Sequence, residues 1–519
     1  MIQKYADDTY AGGYHVYTTV RAEHQQAASL ALRKGLLDYD RRHGYRGAAG
    51  HARIDAQTER RRLDDILKDY PTVAQLLPAI VTGVREKSAG AYTQEGDSVE
   101  IAWPGLAWAQ AYINEDTLGP APKSASDILR PGDVIYLEQT AGGEWRLTQV
   151  PQVSGALVAL AAGDGAILAL AGGLDFYQSS YNHAVQAERQ PGSSIKPFIF
   201  SAALDKGFTA ASTVSGAPVV VQDVSIEDEW RPEDYSRQFY GPTRLRKALA
   251  LSLNLVSVRL LRAIEPEYAS EYLTRFGFDR RKFPANLSLA LGAAAATPLQ
   301  MATAFAVFAT GGHRLEPYLI ARVEDARRNV LEQSNPAIVC PNCAPEAGAG
   351  GSARYAERVL GAENAFIMTS MMRDVITSGT GQAALALERK DLAGKTGTTN
   401  DHRDAWFSGF NADLVAISWI GFDQPTPLGR GETGGKAALP IWMDYMRAAL
   451  RGVAEKPLVR PEGVVSARIN RETGRLAQAG DPEAMEEYFI EGLLPGEQTA
   501  ADGATPIKPA PDNVRERLF

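Results

Sequence analysis

The chain has 519 residues, with 54 lysine and arginine residues against 62 aspartate and glutamate residues. This length predicts roughly two to four domains, and the net charge of −8 argues against nucleic acid as a partner, because such binding needs a basic surface. No apolar stretch reaches the roughly 18 residues of a membrane span, and the first residues lack the apolar core of a signal peptide. We therefore expect neither a membrane span nor a leader in this chain.

Residues 1–49 are predicted to be a linking segment of one strand and one helix. The run from His15 to Val20 is rich in β-branched and aromatic residues, which favour a strand. From Ala22 to Tyr39 the apolar residues recur at helical spacing.

Residues 50–150 are predicted to form a small β domain. A helix is expected from Glu59 to Leu77, and the regularly spaced short strands after it favour a small barrel. The clearest of these strands are Ser98–Trp103, Asp133–Leu137 and Glu144–Thr148. The tryptophans Trp103, Trp108 and Trp145 form either a binding platform or, as we favour, the core and rim of the barrel.

Residues 151–452 are predicted to form the large domain. A tight turn at Asp164 and Gly165 indicates a hairpin between two apolar runs. The helical pattern from Arg244 to Leu261 is broken near Ser252–Asn254. Further helices are expected over Thr297–Thr310 and Asn364–Thr377, and strands at Lys395, over Asp404–Phe410 and over Leu414–Asp423. Strands at both ends with helices between them favour an α+β sheet in which distant segments pair.

Residues 453–519 are predicted to form a hairpin and a tail. The hairpin would join Val464–Ile469 to Gly474–Leu476. The two cysteines, Cys340 and Cys343, precede an Ala/Gly-rich linker, and we favour a disulfide between them over free thiols. One C-x-x-C pattern cannot supply four zinc ligands, and the seven histidines form no ligand-spaced cluster, so no metal or other cofactor is expected.

Ser193 and Lys196 form an S-x-x-K pattern. Positions i and i+3 share one face of a helix, so the amine can reach the hydroxyl. A serine hydroxyl is a poor nucleophile until a base takes its proton, and lysine is a base only when burial or a nearby cation lowers its pKa. Pro191 and Gly192 favour a loop-to-helix entry, which would place Ser193 in the first turn, where backbone N–H groups favour an oxyanion.

Two further patterns follow in order. Ser252 and Asn254, an S-x-N pair, offer a proton relay and an amide donor for a peptide bond. Lys395–Thr398 reads K-T-G-T and looks like an exposed strand, whose lysine is the natural second cation beside Lys196. Gly397 would let a substrate approach the backbone closely.

Each pattern alone is weak, because a helix start, a turn or a hairpin edge explains it equally well. Their order and spacing carry more weight, since 59 residues separate Ser193 from Ser252 and 143 separate Ser252 from Lys395. The set is the signature of penicillin-binding proteins and class A β-lactamases.

The residues around these patterns resemble class A penicillin-binding proteins. Arg189–Phe198 is similar to their nucleophile segment, and Gly394–Asn400 followed by Asp404–Gly409 is similar to their third motif and the strand after it. Leu37–Gly47 and Glu486–Gly492 are similar to segments of the penicillin-binding protein 1A type of Gram-negative bacteria, so the resemblance covers nearly the whole chain.

The resemblance implies an α+β transpeptidase domain of the serine β-lactamase type, with helices flanking an antiparallel sheet, and a small OB-like barrel as an insert. It further implies a D,D-transpeptidase that cross-links peptidoglycan through a serine acyl-enzyme and is acylated by β-lactams. Ser193 would be the nucleophile, Lys196 its base, and the amides of Ser193 and Thr398 the oxyanion hole. The residues that would bind substrate or assist proton transfer are Ser252, Asn254, Lys395, Thr396, Gly397 and Thr398.

The expected partners are peptidoglycan stem peptides, β-lactam antibiotics and, at the OB-like domain, a cell-wall regulatory protein. The full-length protein would act at the periplasmic face of the inner membrane, and the anchor and glycosyltransferase domain of such proteins are not visible in this chain. Two alternatives stay open at this point: a D,D-carboxypeptidase or β-lactamase-type hydrolase, and a non-catalytic cell-wall binding module.

Overall fold

The computed structural model describes residues 1–55, 57–219, 230–340 and 354–495. The chain begins with α1 Ile2–Tyr5, α2 Asp8–Ala11, β1 His15–Thr18 and α3 Ala22–Arg42. The predicted strand and helix are therefore confirmed. Ala28, Leu32 and Leu36 line the buried face of α3, which packs against the large domain.

The second domain is a curved six-stranded sheet with the strand order β2-β8-β3-β4-β5 and with β9 paired to β8. Its strands and helices are β2 Gly50–His51, α4 Arg60–Leu67, β3 Leu77–Val84, β4 Ser88–Thr93, β5 Ser98–Ala102, α5 Trp103–Leu106, β6 Tyr112–Asn114, β7 Thr117–Leu118, β8 Asp133–Gln139 and β9 Trp145–Thr148. Because β9 also lies against β5, the sheet curls into a barrel. The three tryptophans pack on its apolar core, and Trp108 Nε1 donates to the carbonyl of Leu147 at 2.9 Å, which supports the structural interpretation of these rings.

The predicted helix from Glu59 to Leu77 is wrong in its second half. The helix ends at Leu67, and Leu77 instead begins strand β3. Pro71 has no backbone N–H for a helix, and Ala74 and Gln75 adopt positive φ values of 45° and 66° that turn the chain.

The large domain is built on a five-stranded antiparallel sheet with the order β11-β10-β20-β19-β18. The strands of this sheet are β10 Ser154–Ala161, β11 Ile167–Ala171, β18 Ala393–Thr398, β19 Asp404–Phe410 and β20 Leu414–Gly421. The remaining strands are β12 Thr213–Gly216, β13 Tyr240–Arg244, β14 Ile320–Glu324, β15 Val330–Gln333, β16 Ala337–Ile338 and β17 Arg354–Tyr355. The helices are α6 His183–Gln186, α7 Lys196–Asp205, α8 Leu245–Ala250, α9 Asn254–Ile264, α10 Pro266–Leu273, α11 Pro298–Ala309, α12 Ala362–Thr377 and α13 Leu439–Ala449.

Helices cover both faces of this sheet, which explains why its strands are almost entirely buried. Along β10, Ala156 and Val158 belong to the core beneath α7, α11 and α12, whereas Leu157 and Ala159 belong to the core beneath α3 and α13. This alternation follows the two-residue period of a strand. The predicted pairing of distant segments is confirmed, because β10 pairs along its full length with β20.

The chain continues after α13 into β21 Val464–Asn470, which pairs with β22 Ala484–Ile490. The predicted hairpin partner, Gly474–Leu476, is therefore wrong; it makes one bridge, between Ile469 and Leu476. Cys340 is disulfide-bonded, while Cys343, the Ala/Gly-rich linker and the end of the tail lie outside the described residues. None of the described helices combines the length and apolarity needed to cross a membrane.

Candidate active site

Ser193 lies on a 3-10 turn, Gly192–Ile195, that leads directly into α7. The predicted loop-to-helix entry is confirmed. Gly192 has a φ of 53°, and a β-carbon at this position would lie 2.4 Å from the carbonyl oxygen of Thr398. Glycine is thus required for the turn and for its close approach to β18. As in any first helical turn, the N–H group of Ser193 donates to no carbonyl in the described part of the chain.

Lys196, the first residue of α7, is completely buried. Its Nζ donates to the carbonyl oxygen of Ser252 at 2.6 Å and to Asn254 Oδ1 at 2.7 Å, and lies 3.4 Å from Ser252 Oγ. Burial lowers the pKa of Lys196 to about 7, against the opposing charge of Asp234. A substantial fraction of this amine is therefore neutral near neutral pH. Within the described residues, no hydrogen bond joins Lys196 to Ser193 directly.

Ser252 lies between two amines. It occupies the turn between α8 and α9 with a φ of 60°, a conformation that L-residues adopt at an energetic cost. This confirms the predicted break in the helical pattern. Ser252 Oγ accepts a hydrogen bond from Lys395 Nζ at 2.8 Å and faces Lys196 Nζ on its other side. The strained turn aims the hydroxyl at both lysines, which suits a proton relay.

Lys395 is also completely buried, on β18. Its Nζ donates to Ser252 Oγ and to the carbonyl oxygen of Thr396 at 3.0 Å. Burial, together with the charge of Lys196, holds the pKa of Lys395 well below its usual range. Sequence reasoning predicted the two lysines as neighbours, and the structure places them on either side of one hydroxyl. Burial is the larger cause of both shifts.

The K-T-G-T strand was predicted to be exposed, and this is wrong. β18 is the last strand of its sheet, but Thr396 is nearly buried because α12, the Ser193 turn and a π-helical turn, Gly434–Ala438, pack against the strand. The hydroxyls of Thr396 and Thr380 lie 2.6 Å apart, and Thr398 Oγ1 accepts from the N–H group of Gly434 at 3.0 Å.

Gly397 is required for packing within the protein. A β-carbon there would lie 2.4 Å from the carbonyl oxygen of Pro191 and 2.5 Å from Ser194 Oγ. The expected reason, close approach of a substrate to the backbone, is therefore not the one visible here. The missing side chain lets the nucleophile turn rest directly on the strand.

Asn254 begins α9 and is held from two directions. Its side-chain Oδ1 accepts from Lys196, and its Nδ2 donates to the carbonyl oxygen of Glu233 at 2.7 Å. The backbone N–H of Asn254 donates to Asp234 Oδ1. Sequence reasoning missed Asp234, because it stands in a polar stretch with no pattern of its own.

Thr380 and Gly434 were also missed as neighbours of the site. Thr380 follows the predicted helix Asn364–Thr377 in a short polar run, and its hydroxyl supports that of Thr396. Gly434 belongs to a glycine-rich loop, and glycines alone carry no functional signal.

Arg189 and Asp404 tie the nucleophile segment to β19. Arg189 Nε and Asp404 Oδ1 are 2.7 Å apart, and Trp419 Nε1 donates to the same oxygen at 2.9 Å. Burial raises the pKa of Asp404 despite this pairing. The pair lies outside the three motifs and orients the strand that borders them.

The structure thus brings all eight predicted site residues together, where the Ser193 turn and the Ser252 turn lie beside β18. A hydroxyl at a helix start, an amine with a depressed pKa and a relay hydroxyl are the components of serine-type acyl transfer. In the described ranges, no three histidine, cysteine or acidic side chains gather into a metal-binding group.

Two protein-family models match this chain, and together they cover the site and the small β domain. The profile of the penicillin-binding protein transpeptidase domain matches residues 155–446, and that of the penicillin-binding protein OB-like domain matches residues 45–153. The first match covers more than half of the chain, so the chain belongs to the penicillin-binding protein transpeptidase family.

Individual relatives share one name. Penicillin-binding protein 1A of Pseudomonas aeruginosa is 43% identical over 99% of this chain and 66% of its own length, and that of Escherichia coli is 37% identical over 98% and 67%. The crystal structure of penicillin-binding protein 1A from Haemophilus influenzae matches with a TM-score of 0.86 at 35% identity, covering 95% of this chain and 74% of that chain. The predicted fold class and the resemblance to the 1A type are confirmed. The chain spans about two thirds of the length of these curated relatives.

Proposed function

We propose that this chain is a peptidoglycan D,D-transpeptidase that works through an acyl-enzyme on Ser193. The observation that carries the proposal is the arrangement of Ser252 Oγ between Lys196 Nζ and Lys395 Nζ, next to the Ser193 turn. The Ser193 hydroxyl must lose its proton in order to attack a carbonyl. An amine with a pKa of about 7, such as that of Lys196, can accept this proton at physiological pH.

In the first half-reaction, Ser193 Oγ attacks the carbonyl carbon of a D-alanyl-D-alanine bond. Its proton passes to the Lys196 amine, and the N–H groups of Ser193 and Thr398 receive the negative charge on the carbonyl oxygen. The C–N bond breaks, the leaving amine takes a proton returned through Ser252, and D-alanine departs. The amine of a second stem peptide then attacks the Ser193 ester, the cross-link forms, and the serine recovers its proton.

The terminal carboxylate of the stem peptide would lie against β18. Thr398 Oγ1 accepts a hydrogen bond from Gly434, so its own O–H is free to donate to a carboxylate. The Nζ of Lys395 is turned toward Ser252, so this side chain adds positive potential from behind the strand when it is protonated. Thr396 would contribute less directly, since its hydroxyl is already bonded to that of Thr380.

A β-lactam would enter the same reaction. Its ring amide presents a carbonyl to Ser193 and a carboxylate to Thr398, but the leaving nitrogen stays attached to the acyl group after the ring opens. The departing amine therefore remains in the cleft, which favours a long-lived ester.

We place the activity at the periplasmic face of the inner membrane, with a cell-wall regulatory protein as partner of the OB-like domain.

The test is the intact mass of the protein after incubation with a β-lactam. We expect the native chain to gain the mass of one drug molecule, and Ser193→Ala to gain none. Ser194→Ala is the matched control, because the neighbouring Ser194 hydroxyl is buried and takes no part in the proposed proton transfers. It should keep the adduct.

A folded native chain that gains no mass would contradict the proposal and favour a non-catalytic binding module. An adduct that forms on Ser193 and is lost within seconds would instead favour a hydrolase. Transfer of the acyl group to an added D-amino acid, measured by mass spectrometry of the product, would separate transpeptidation from hydrolysis.

A further inference from the structure

Asp234 lies in the loop before β13 and is only 4% exposed. Its Oδ1 accepts hydrogen bonds from the backbone N–H groups of Asn254 and, at 3.2 Å, of Leu255. These are the first two residues of α9, whose N-cap position is Leu253, a residue without a capping side chain. The first N–H groups of a helix have no partner inside it. A carboxylate 20 residues earlier in the chain therefore caps this helix.

The same loop also orients the side chain of Asn254. The carbonyl oxygen of Glu233 accepts from Asn254 Nδ2, which leaves Oδ1 pointing at Lys196. On its other side, the ring of Tyr235 lies edge-on to that of His402, with ring centroids 5.7 Å apart. His402 follows the K-T-G-T strand, so the loop is anchored to both walls of the cleft.

The second carboxylate oxygen of Asp234 has no such structural use. Oδ2 is buried and has no hydrogen-bond partner among the described residues. Leaving a buried carboxylate oxygen unpaired is costly, and such an exception calls for a reason. Its charge acts on Lys196, where it favours the protonated amine.

Few other charges reach this place. Of the elements packed against the start of α7, β18 contributes Lys395, and the first turn of α9 contributes none. α10 contributes Glu267 and Glu271, α8 contributes Arg246 and Lys247, and α12 contributes Glu363, Arg373 and Asp374. Of these, Arg246 and Asp374 pair with each other at 3.1 Å. Among the described residues, Asp234 is thus the one carboxylate whose charge acts on the Lys196 amine.

We propose that Asp234 is a positioning residue of the acyl-transfer site: its carboxylate fixes the start of α9, and with it Asn254, and supplies the negative charge that balances the Lys196 ammonium. This rests on the proposed function. The charge would favour the protonated amine without enforcing it, so that the site is neither fully ionised nor fully neutral at physiological pH.

The test is the second-order rate of acylation by a fluorescent penicillin, measured from about pH 5 to pH 9, a range that brackets the relevant titration. Asp234→Asn keeps an oxygen that can accept from the helix N–H groups but removes the charge. Asp234→Ala removes both. Glu267→Gln removes one exposed carboxylate from the same domain and is the matched charge control.

We expect the acidic limb of the Asp234→Asn profile to move about half a pH unit to one unit toward lower pH, since the ammonium loses its counter-charge. Asp234→Ala should show this shift and, because α9 loses its cap, a plateau about tenfold lower. Glu267→Gln should coincide with the native profile.

A limb of Asp234→Asn that coincides with that of Glu267→Gln would overturn the charge role, and an unchanged plateau in Asp234→Ala would overturn the positioning role. If Asp234→Ala does not fold, a native-like melting temperature of Asp234→Asn keeps its profile decisive for the charge. Asp234→Ser, whose shorter side chain reaches the helix N–H groups less well, then replaces Asp234→Ala as the test of position, through the same plateau. A native chain that is not acylated on Ser193 at any pH would refute the proposed function itself, which is a different result from a native-like profile in the variants.

Discussion

At the scale of single residues, burial is the main cause of the lowered lysine pKa values in this site. Lys196 and Lys395 are both inaccessible to water, and both share Ser252 as a hydrogen-bond partner. Two ammonium groups that share one hydrogen-bond partner repel each other, and burial disfavours each charge further. Burial thereby lowers the pKa of Lys196, as its proposed role as a base requires. Burying these amines costs stability, which the packing of the surrounding helices and sheet offsets.

The pH dependence of acylation follows from this. Because Lys196 must be neutral to accept the proton of Ser193, the rate of β-lactam acylation should reach half its maximum near pH 7. Below that it should fall toward tenfold per pH unit. Lys196→Arg retains the charge but cannot lose its proton, and should lower the rate by about a thousandfold or more. A rate that is constant from about pH 5 to pH 9, measured by stopped-flow fluorescence, would rule out Lys196 as the base.

At the scale of secondary structure, the site depends on a 3-10 turn lying directly on a strand. Gly192 faces Thr398 and Gly397 faces Pro191 where the turn rests on β18, and neither glycine has room for a β-carbon. The turn starts α7 at Lys196, and the strand carries Lys395. The close contact between the turn and the strand therefore fixes how near the two lysines lie to each other.

Gly192→Ala should disrupt this contact. A β-carbon would collide with the carbonyl of Thr398, so we expect about a hundredfold slower acylation together with a loss of stability. Gly207→Ala is the control: Gly207 also has a positive φ, 87°, but the space around it is open. It should cost about 1 kcal/mol of unfolding free energy, from backbone strain alone, and leave acylation intact. Equal acylation rates in the two variants would show that the close contact is dispensable.

At the scale of the whole molecule, charged side chains buried between segments join the C-terminal hairpin to the catalytic domain. Glu487 on β22 is fully buried and accepts from Arg246 Nε at 2.8 Å and from Arg244 Nη1 at 3.3 Å. Both arginines flank the start of α8, the helix that ends at the Ser252 turn. Arg42 and Glu432 join α3 in a similar way to the loop before Gly434.

Glu487→Gln should therefore destabilise the whole domain. It leaves two buried guanidinium groups facing a neutral amide, and breaking such a pair costs about 3–5 kcal/mol of unfolding free energy. Glu483→Gln, on the same hairpin, removes an exposed carboxylate and should change stability by less than about 0.5 kcal/mol. Urea unfolding followed by fluorescence compares them. Indistinguishable midpoints would mean that the hairpin is not held by this network.

Local patterns allowed much of the fold to be predicted. The helices at Thr297–Thr310 and Asn364–Thr377 and the strands after Lys395 were placed to within a few residues, because periodicity and β-branched content act within one segment. The partner of β21 and the burial of β18 were predicted wrongly. Both depend on which other segments pack there, which a single segment does not record.

The sequence by itself determined the reactive groups: Ser193, Lys196, Ser252, Asn254 and the Lys395 strand are recognisable from their spacing. Only the tertiary structure decided how they act. It buried both lysines, aimed the strained Ser252 hydroxyl between them, and brought Asp234 to the start of α9. The physical reason is that a pKa and a hydrogen bond depend on surroundings supplied by distant parts of the chain, whereas the identity of a side chain does not.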